Sequence, residues 1–308
     1  MEGIKLLEPT DFYNILNQEM KYPMLSDQTY LLLFDVRKLE QFMESHIITA
    51  KLSQTNDDGA YKIPIDGELE TKRNIVVYDD KTTTLSSPDS KAVAFARFLW
   101  DNGSKYPVQV IKGGYEKLSG LYPFLRTQEM LYSPQQLDDI FIYPVEIIPG
   151  FLFLGKHSKS QSGRVNKDLK VKAHVNVSDR KDTLFQGKPD IQGKNNKMVP
   201  VLLNVNVLDK KGEDILSSFS QICTFIDSHD TRDGKSVLIS SELGISRSVT
   251  AALAYMMYRN KCSLQIAWNH MKQCKKNICP NRSFIDQLLT WEVETVGEKV
   301  TDVNMIEP

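Results

Sequence analysis

The sequence predicts an α/β protein with two successive domains, each built on a central sheet flanked by helices. Its 308 residues, 41% of them hydrophobic, exceed what one ordinary core organises and exclude disorder as the main state. Short apolar runs of β type alternate with segments of helical periodicity, as in parallel α/β units. A second set of elements follows, so we place the domains at 1–128 and 143–297, with a linker at 129–142 and a tail at 298–308.

The first domain alternates buried strands with helices. Its apolar runs predict strands at 30–35, 74–79 and 107–111. A helix-start signal at Pro9 predicts one helix, and residues 90–100 predict another. The buried face of that second helix is formed by Ala92, Phe95, Ala96 and Leu99. Paired glycines after the third strand allow a tight turn into a further helix.

Residues 129–142 show no clear period around Ser133-Pro134, which is typical of a linker. The second domain then opens with two short strands around a Pro-Gly turn within 147–155. Further strand-like runs cover 171–177 and 199–207, and another begins at 237. Helical patterns cover 217–228, 246–260, 263–275 and 282–297.

The net charge of −1 conceals two halves of opposite sign. Residues 1–130 carry 15 basic and 19 acidic side chains, whereas residues 131–308 carry 23 and 20. The interval 156–197 has 11 basic and 4 acidic residues, which indicates either an ordinary solvated face or a surface that attracts anions. The balance of the whole chain argues against direct nucleic-acid binding.

The sequence also bears on location. No stretch approaches eighteen uncharged apolar residues, so we expect no membrane insertion. The first twenty residues contain four acidic side chains and fit neither a secretory leader nor a transit peptide. Four cysteines, none before Cys223, are too few for a disulfide scaffold. We therefore expect a cytoplasmic protein.

A strand, a loop of small residues and a helix follow one another at 237–248. This order directs backbone N–H groups and the positive end of a helix dipole at one point, which forms an anion nest. Arg247 adds a planar donor suited to phosphate, and Ser246 and Ser248 add hydroxyls. An ordinary strand–turn–helix also explains the pattern, because glycine-containing turns before helices are common.

This loop resembles the phosphate-binding loop of cysteine-dependent dual-specificity phosphatases, in which His-Cys is followed by five residues, Arg, and Ser or Thr. Arg247 lies six positions after Ser241, so the resemblance places Ser241 at the nucleophile and Ser240 at the histidine. The phosphate-binding residues correspond to Glu242, Leu243, Gly244, Ile245, Ser246, Arg247 and Ser248. The resemblance covers most of 143–297 and places Asp209 at the general acid.

Both catalytic identities of that family are absent. A serine hydroxyl is far less acidic than a thiol, and no base is adjacent, so we expect no meaningful turnover. Asp209 is then either a vestigial general acid or a solvated loop carboxylate. Because the nest and Arg247 persist, we expect capture of phosphorylated Ser, Thr or Tyr, which Glu242 and Leu243 at the mouth would weaken. Residual phosphatase activity and a scaffold with an unused pocket are the alternatives.

The first domain resembles rhodanese-like domains at 34–50 and 111–116, so the predicted fold is a rhodanese-like domain followed by a dual-specificity phosphatase-like domain. Sulfurtransferases of that fold place a cysteine after the central strand, where this chain has Asp79. The resemblance therefore implies an inactive domain. His46 lies in this region and is either a packed, hydrogen-bonded residue or a ligand, although no partners with metal-ligand spacing accompany it.

This domain order resembles that of the MAP kinase phosphatases, and the two replaced cysteines resemble their inactive relatives, the pseudophosphatases. The resemblance implies an adaptor or inhibitor that binds phosphoproteins or active phosphatases, and it admits association with mitochondria. Residues 51–64 lack the arginine cluster used for kinase docking and contain Asp57-Asp58, so standard MAP kinase docking is not expected.

We expect no cofactor and no metal. Cys274 and Cys279 have the spacing of a metal-binding pair, but no second Cys/His pair accompanies them. Partly buried thiols explain these two residues more simply.

Overall fold

The computed structural model describes residues 2–63, 68–87, 89–180, 200–230, 234–302, 304 and 306. The chain divides into two compact units, Met1–Ile142 and Tyr143–Pro308.

The first unit has the following strands and helices in its described part: β1 (Ile4–Leu7), α1 (Pro9–Leu16), β2 (Leu31–Asp35), α2 (Leu39–Glu44), β3 (His46–Ile47), β4 (Lys51–Leu52), β5 (Gln54–Thr55), β6 (Tyr61–Lys62), β7 (Asn74–Tyr78), α3 (Lys91–Asp101), β8 (Val108–Ile111), α4 (Gly114–Leu121), β9 (Arg126–Thr127) and α5 (Pro134–Asp138).

Five of these strands form a parallel sheet in the order β1–β8–β7–β2–β4, as far as the unit is described. The strands predicted at 30–35, 74–79 and 107–111 are its three central members. The edge strands β1 and β4 have four and two residues, too few for a period to show in the sequence.

Helix α3 packs on this sheet, and its predicted buried face is confirmed. Its four face residues are fully buried: Ala92, Phe95, Ala96 and Leu99. The ring of Phe95 meets that of Phe34 edge to face at 5.1 Å. The Ser90 hydroxyl accepts a hydrogen bond from the Val93 N–H at 3.1 Å, which caps the first turn of the helix.

The segment 129–142, predicted as a linker, lies within the first unit and contains α5. The Ser133 hydroxyl caps this helix by accepting from the Gln136 N–H at 3.2 Å. The Leu137 carbonyl accepts a hydrogen bond from the Ser26 hydroxyl at 3.4 Å. The contact with Ser26 joins residues distant in the chain, and local periodicity gives no sign of it.

The second unit continues with β10 (Val145–Ile148), β11 (Leu152–Lys156), α6 (His157–Ser160), α7 (Gly163–Asp168), β12 (Val171–Asn176), β13 (Val201–Asn204), α8 (Phe219–Ser228), β14 (Ser236–Ser241), α9 (Arg247–Asn260), α10 (Leu264–Cys274) and α11 (Arg282–Val296). None of the helices in the described part of the chain is long and apolar enough to cross a membrane.

Its sheet has the order β10–β11–β14–β12–β13 among the described residues. Only β10 runs antiparallel to its neighbour here, because the Pro-Gly turn before β11 reverses the chain. The strand predicted at 199–207 is shorter than expected, and Val199 lies outside the described residues. Residues 181–197 of the basic interval lie outside them as well.

Helix α9 is the centre of this unit. Every residue from Arg247 to Met257 is buried, and α8, α10 and α11 pack around the helix. The indole N–H of Trp291 on α11 donates to the carbonyl of Ala254 at 3.0 Å. Because α9 is packed against three other helices, its first residue, Arg247, is held in a fixed position.

The predicted tail at 298–308 is partly anchored by the buried side chain of Glu292. Its carboxylate accepts from the backbone N–H groups of Leu264, Val300 and Thr301 at 2.8, 3.1 and 3.1 Å, and from the Thr301 hydroxyl at 2.6 Å. Burial raises the pKa of Glu292, but these hydrogen bonds outweigh burial and leave the pKa below its usual value.

We expect Glu292→Gln to lower the free energy of unfolding at neutral pH by about 1–3 kcal/mol, because the amide cannot accept all four hydrogen bonds. A lowered folded-state pKa stabilises the fold above the unfolded pKa of about 4.3, and this contribution is lost as the pH falls through the folded value. The difference between wild type and Glu292→Gln in urea unfolding should therefore shrink in acid.

The matched control is Glu294→Gln, which removes the same charge from an exposed position on the same helix. It should change the unfolding free energy by less than about 0.5 kcal/mol. Equal effects of the two substitutions would show that the Glu292 network does not anchor the tail.

Candidate functional site

The predicted anion loop connects β14 to α9 at the carboxyl end of the sheet. Ser240 lies in register with Gly155 of β11 and with Asn176 of β12, so three parallel strands end beside the loop. The first residue of α9 is Arg247, and the positive end of this 14-residue helix faces the loop. The structure thus brings all seven predicted phosphate-binding residues, 242–248, into one strand–loop–helix junction.

Gly244 is required by the geometry of the loop. Its φ of +69° is in the left-handed region that favours glycine. A Cβ atom there would lie 2.8 Å from the carbonyl carbon and oxygen of Gly155 and 2.9 Å from the nitrogen of Lys156. Loop and strand β11 can approach this closely only without a side chain.

Ser241, at the predicted nucleophile position, is 2% exposed. Its hydroxyl donates to the hydroxyl of Ser248 at 2.9 Å. A second hydroxyl is too weak a base to activate it. The side chain therefore serves as a link between the end of β14 and the first turn of α9.

Ser240, at the predicted histidine position, is fully buried. Its Oγ lies 2.8 Å from Nε2 of His174 on β12 and 3.4 Å from Oγ of Ser160. Burial, together with the nearby charge of His157, lowers the pKa of His174 to about 3, so this imidazole is neutral at physiological pH. The imidazole is bonded to Ser240 rather than to Ser241.

Arg247 is 6% exposed, and its guanidinium contacts groups that follow the neighbouring strands. Nη1 donates to the Val207 carbonyl at 2.8 Å and to Oδ1 of Asp179 at 3.2 Å. Nε is buried, has no hydrogen-bond partner among the described residues, and lies 3.8 Å from Oδ2 of Asp209. One buried donor of the guanidinium is thus available to an acceptor.

Asp209 is held against the loop. Its Oδ1 accepts from the Ser246 hydroxyl at 2.8 Å and from Nδ2 of Asn281 at 2.9 Å. The side chain is 37% exposed, so it is neither buried nor a free surface group. The structure therefore places the Asp209 carboxylate beside the loop, hydrogen-bonded to the residue before Arg247.

The mouth of the loop carries a further ion pair. Nε of Arg180 lies 2.7 Å from Oε2 of Glu242. Leu243 is 59% exposed, and the Ile245 carbonyl accepts a hydrogen bond from the N–H of Cys279 at 2.8 Å. The negative charge that Glu242 brings to the mouth is thus balanced by an arginine.

Sequence reasoning missed Asp179, Arg180 and Asn281. The hydrogen bond from Arg247 holds the pKa of Asp179 below its usual value. Asp179 and Arg180 follow the predicted strand at 171–177, so they could have been expected at the same sheet edge as the loop. No local pattern indicates Asn281, because its contact with Asp209 depends on how the start of α11 docks.

In the first unit, Asp79 is the residue predicted to stand in place of a sulfurtransferase cysteine, and it lies directly after β7. Its carboxylate accepts from the N–H and hydroxyl of Thr82 at 2.9 and 2.6 Å, from the Ser90 hydroxyl at 3.1 Å and from the Ala92 N–H at 3.4 Å. The carboxylate therefore lies at the N-terminus of α3, where the helix dipole favours a negative charge. A cavity of about 540 Å³ lies alongside, lined by residues that follow β2 and β7.

His46 is a packed residue, as one of the two interpretations held. It is fully buried, its ring stacks on Phe42 at 3.8 Å, and its nitrogens lie 2.8 and 3.0 Å from the carbonyl oxygens of Phe42 and Glu129. Cys274 is buried and Cys279 is exposed. In the described part of the chain, no group of three or more His, Cys, Asp or Glu side chains is arranged to hold a metal ion.

Comparison with known proteins agrees with this geometry. Residues 152–294 match the family described as "Dual specificity phosphatase, catalytic domain". Human dual specificity protein phosphatase 1 is 35% identical over 247 residues, which are 72% of this chain and 63% of that protein. Human dual specificity protein phosphatase 4 is 29% identical over 72% of this chain and 59% of its own length. The second unit contains a dual-specificity phosphatase domain of mixed α/β structure, and the chain spans less than two thirds of these relatives.

Solved structures resemble about half of the chain. Human DUSP28 is 28% identical, with a TM-score of 0.41, over 50% of this chain and 96% of its own. The human tyrosine phosphatase-like serine/threonine/tyrosine-interacting protein is 27% identical, with a TM-score of 0.39, over 48% of this chain and 95% of its own.

We expect Gly244→Ala to destabilise the second unit by more than about 2 kcal/mol, because it combines backbone strain with a clash against the backbone of β11. The matched control is Gly212→Ala, at a φ of +89° with nothing within 4 Å of the added methyl group. The control should cost only about 1 kcal/mol from strain. Equal losses in thermal unfolding would contradict close packing of the loop on β11.

Proposed function

Starting from the dual-specificity phosphatase domain in the second unit, we propose that this chain is a pseudophosphatase, a catalytically inactive protein that regulates phosphoproteins or active phosphatases by binding them. One observation carries the proposal. The loop keeps its buried Arg247 and its helix N-terminus, while the nucleophile position holds Ser241, whose hydroxyl is bonded to Ser248.

The absence of turnover follows from the chemistry of the nucleophile. Phosphoryl transfer in this family needs a thiolate, whereas the hydroxyl of Ser241 stays protonated near neutral pH. His174 is neutral, and its Nε2 lies 2.8 Å from Oγ of Ser240, the neighbour of the nucleophile position. Even a phosphorylated serine would leave poorly in a second step, because an alkoxide is a far worse leaving group than a thiolate.

Phosphate binding is supported by the groups that remain. Successive N–H groups of the loop and the start of α9 favour an anion. Nε of Arg247 is a buried donor without a partner among the described residues, and a phosphate oxygen would satisfy it. We therefore propose that the loop captures a phosphomonoester and does not hydrolyse it.

The first unit supports the same interpretation. We propose that it is an inactive rhodanese-like domain, because Asp79 fills its anion position with a carboxylate that cannot carry sulfur. Its cavity beside β2 and β7 is lined by charges of both signs, including Asp79, Asp80, Lys81 and Lys91. A lining of mixed charge favours neither an anionic nor a cationic substrate.

A scaffold with an unused pocket is the second candidate. The contacts of Arg247 with Asp179 and Asp209 favour it, because two carboxylates already lie at the guanidinium. The two candidates differ in whether binding depends on phosphate.

Restoring the catalytic identities tests inactivity. We expect wild type to release no phosphate from an aryl phosphate above the Ser241→Ala background. The variant Ser240→His with Ser241→Cys should gain at least about a thousand-fold over wild type. Since His174 and Ser160 crowd Ser240, His174→Ser is added to make room for the larger ring.

The control for this test is Ser228→Cys, which adds a thiol at an exposed position of α8 and should stay inactive. Turnover by wild type that Ser241→Ala abolishes would overturn the pseudophosphatase proposal and establish residual phosphatase activity.

Calorimetry with a phosphopeptide and its unphosphorylated counterpart tests recognition. We expect Arg247→Lys to weaken phosphate-dependent binding about ten-fold or more, because an ammonium cannot reproduce the planar donor pair. The matched control is Arg259→Lys at the other end of α9, where Arg259 pairs with Asp230 at 2.8 Å. Equal binding of the phosphopeptide and its unphosphorylated counterpart would favour the scaffold with an unused pocket over phosphate recognition.

A further inference from the structure

The guanidinium of the phosphate loop is already neutralised by the protein's own carboxylates. Nη1 of Arg247 lies 3.2 Å from Oδ1 of Asp179, and Nε lies 3.8 Å from Oδ2 of Asp209. These carboxylates come from the loops that follow β12 and β13, and they meet the arginine at the carboxyl edge of the sheet. A phosphate group that binds Arg247 must therefore compete with them.

The two carboxylates are held differently. Asp209 also accepts hydrogen bonds from Ser246 and Asn281, and this fixes it beside the loop. Asp179 has a side chain that is 56% exposed, and its contact with Arg247 is a single hydrogen bond from Nη1. Asp179 is thus the carboxylate that an incoming phosphate displaces, whereas Asp209 stays in place.

Displacement of Asp179 by a phosphate leaves an excess of negative charge at the loop. Among the residues described at the loop, Asp179, Asp209 and Glu242 carry three negative charges, and Arg247 and Arg180 carry two positive ones. Arg180 remains paired with Glu242 at 2.7 Å. A dianionic phosphate on Arg247 would then face Asp179 and Asp209 across a few ångströms, and this repulsion weakens the binding of an isolated phosphate.

We infer that the loop selects a phosphomonoester that is carried next to a lysine or arginine of the ligand. The phosphate pairs with Arg247 and displaces Asp179. The neighbouring cation of the ligand then pairs with Asp179 and lies close to Asp209. Asp179 and Asp209 are then specificity-determining residues: they reject free phosphate and phosphate in acidic surroundings, and they admit a phosphorylated residue with a basic neighbour. This inference rests on the proposed phosphate recognition and names its ligand class.

The test uses the full chain and short phosphotyrosine peptides. One peptide has lysine on each side of the phosphotyrosine, a second has glutamine there and a third has glutamate. Unphosphorylated counterparts and inorganic phosphate complete the set, and calorimetry gives the dissociation constants.

For wild type we expect the lysine-flanked phosphopeptide to bind about three- to ten-fold more tightly than the glutamine-flanked one, and the glutamate-flanked one most weakly. The preference should fall as salt is raised, because the carboxylates are partly exposed. Asp179→Asn should remove most of the preference and strengthen binding of the glutamine-flanked peptide, since Arg247 no longer has to release a charged partner. Asp209→Asn should also reduce the preference, with a smaller gain for the glutamine-flanked peptide, because it removes one repelling charge but leaves Asp179 to be displaced from Arg247.

The matched control is Asp230→Asn, which removes one charge from an Asp–Arg pair at the far end of α9, about 18 Å along the helix from Arg247. It should keep the preference of wild type. Circular dichroism shows whether each variant is folded.

Three outcomes would overturn the inference: equal binding of the lysine- and glutamine-flanked phosphopeptides, a preference that survives Asp179→Asn, or inorganic phosphate that binds as tightly as the lysine-flanked peptide. Each of these leaves phosphate recognition by Arg247 intact. If no variant binds any peptide in a phosphate-dependent way, the proposed function falls together with the inference.

Discussion

The loop between β14 and α9 depends on a contact between two stretches of backbone. Gly244, at a φ of +69°, lies against Gly155 and Lys156 of β11, at a distance that excludes a side chain. The loop is fixed from its other end by α9, which is buried over most of its length. Since both ends are fixed by packing, the loop keeps its N–H groups, its helix dipole and Arg247 in one place whichever residue occupies position 241. Under the proposed function, a serine at position 241 is therefore compatible with anion binding at this loop.

Donors and positive charge at the end of a sheet are costly when they have no partner. In both units, carboxylates of the chain itself lie against such groups. In the first, Asp79 accepts hydrogen bonds from Thr82, Ser90 and the start of α3. In the second, Asp179 and Asp209 lie beside Arg247. The two carboxylates differ in how easily a ligand could displace them. Asp79 accepts several hydrogen bonds, whereas Asp179 is exposed and accepts one hydrogen bond from Arg247.

The parts of the fold that were predictable are those with long apolar runs or strong local signals. The central strands β2, β7 and β8 and the buried face of α3 follow from periodicity, and the β14–α9 junction follows from a strand, a glycine-containing loop and a helix start. Edge strands of two to four residues are too short to show a period. Helix α5 lies in the segment predicted as a linker, because its five residues carry few apolar positions and its contact is with the distant Ser26.

For the candidate site, the sequence by itself determined which groups are available: a serine at position 241, Arg247 six residues later, and no thiol before Cys223. These identities decide the chemistry, since no fold turns a serine hydroxyl into a thiolate. Only the tertiary structure decided which groups meet. Asp179 and Arg247 are 68 residues apart and touch because β12 and β14 are adjacent parallel strands whose carboxyl ends share one edge of the sheet. Strand order is a product of packing across the whole unit, and for that reason the partners of Arg247 could not be predicted from the local pattern that identified Arg247 itself.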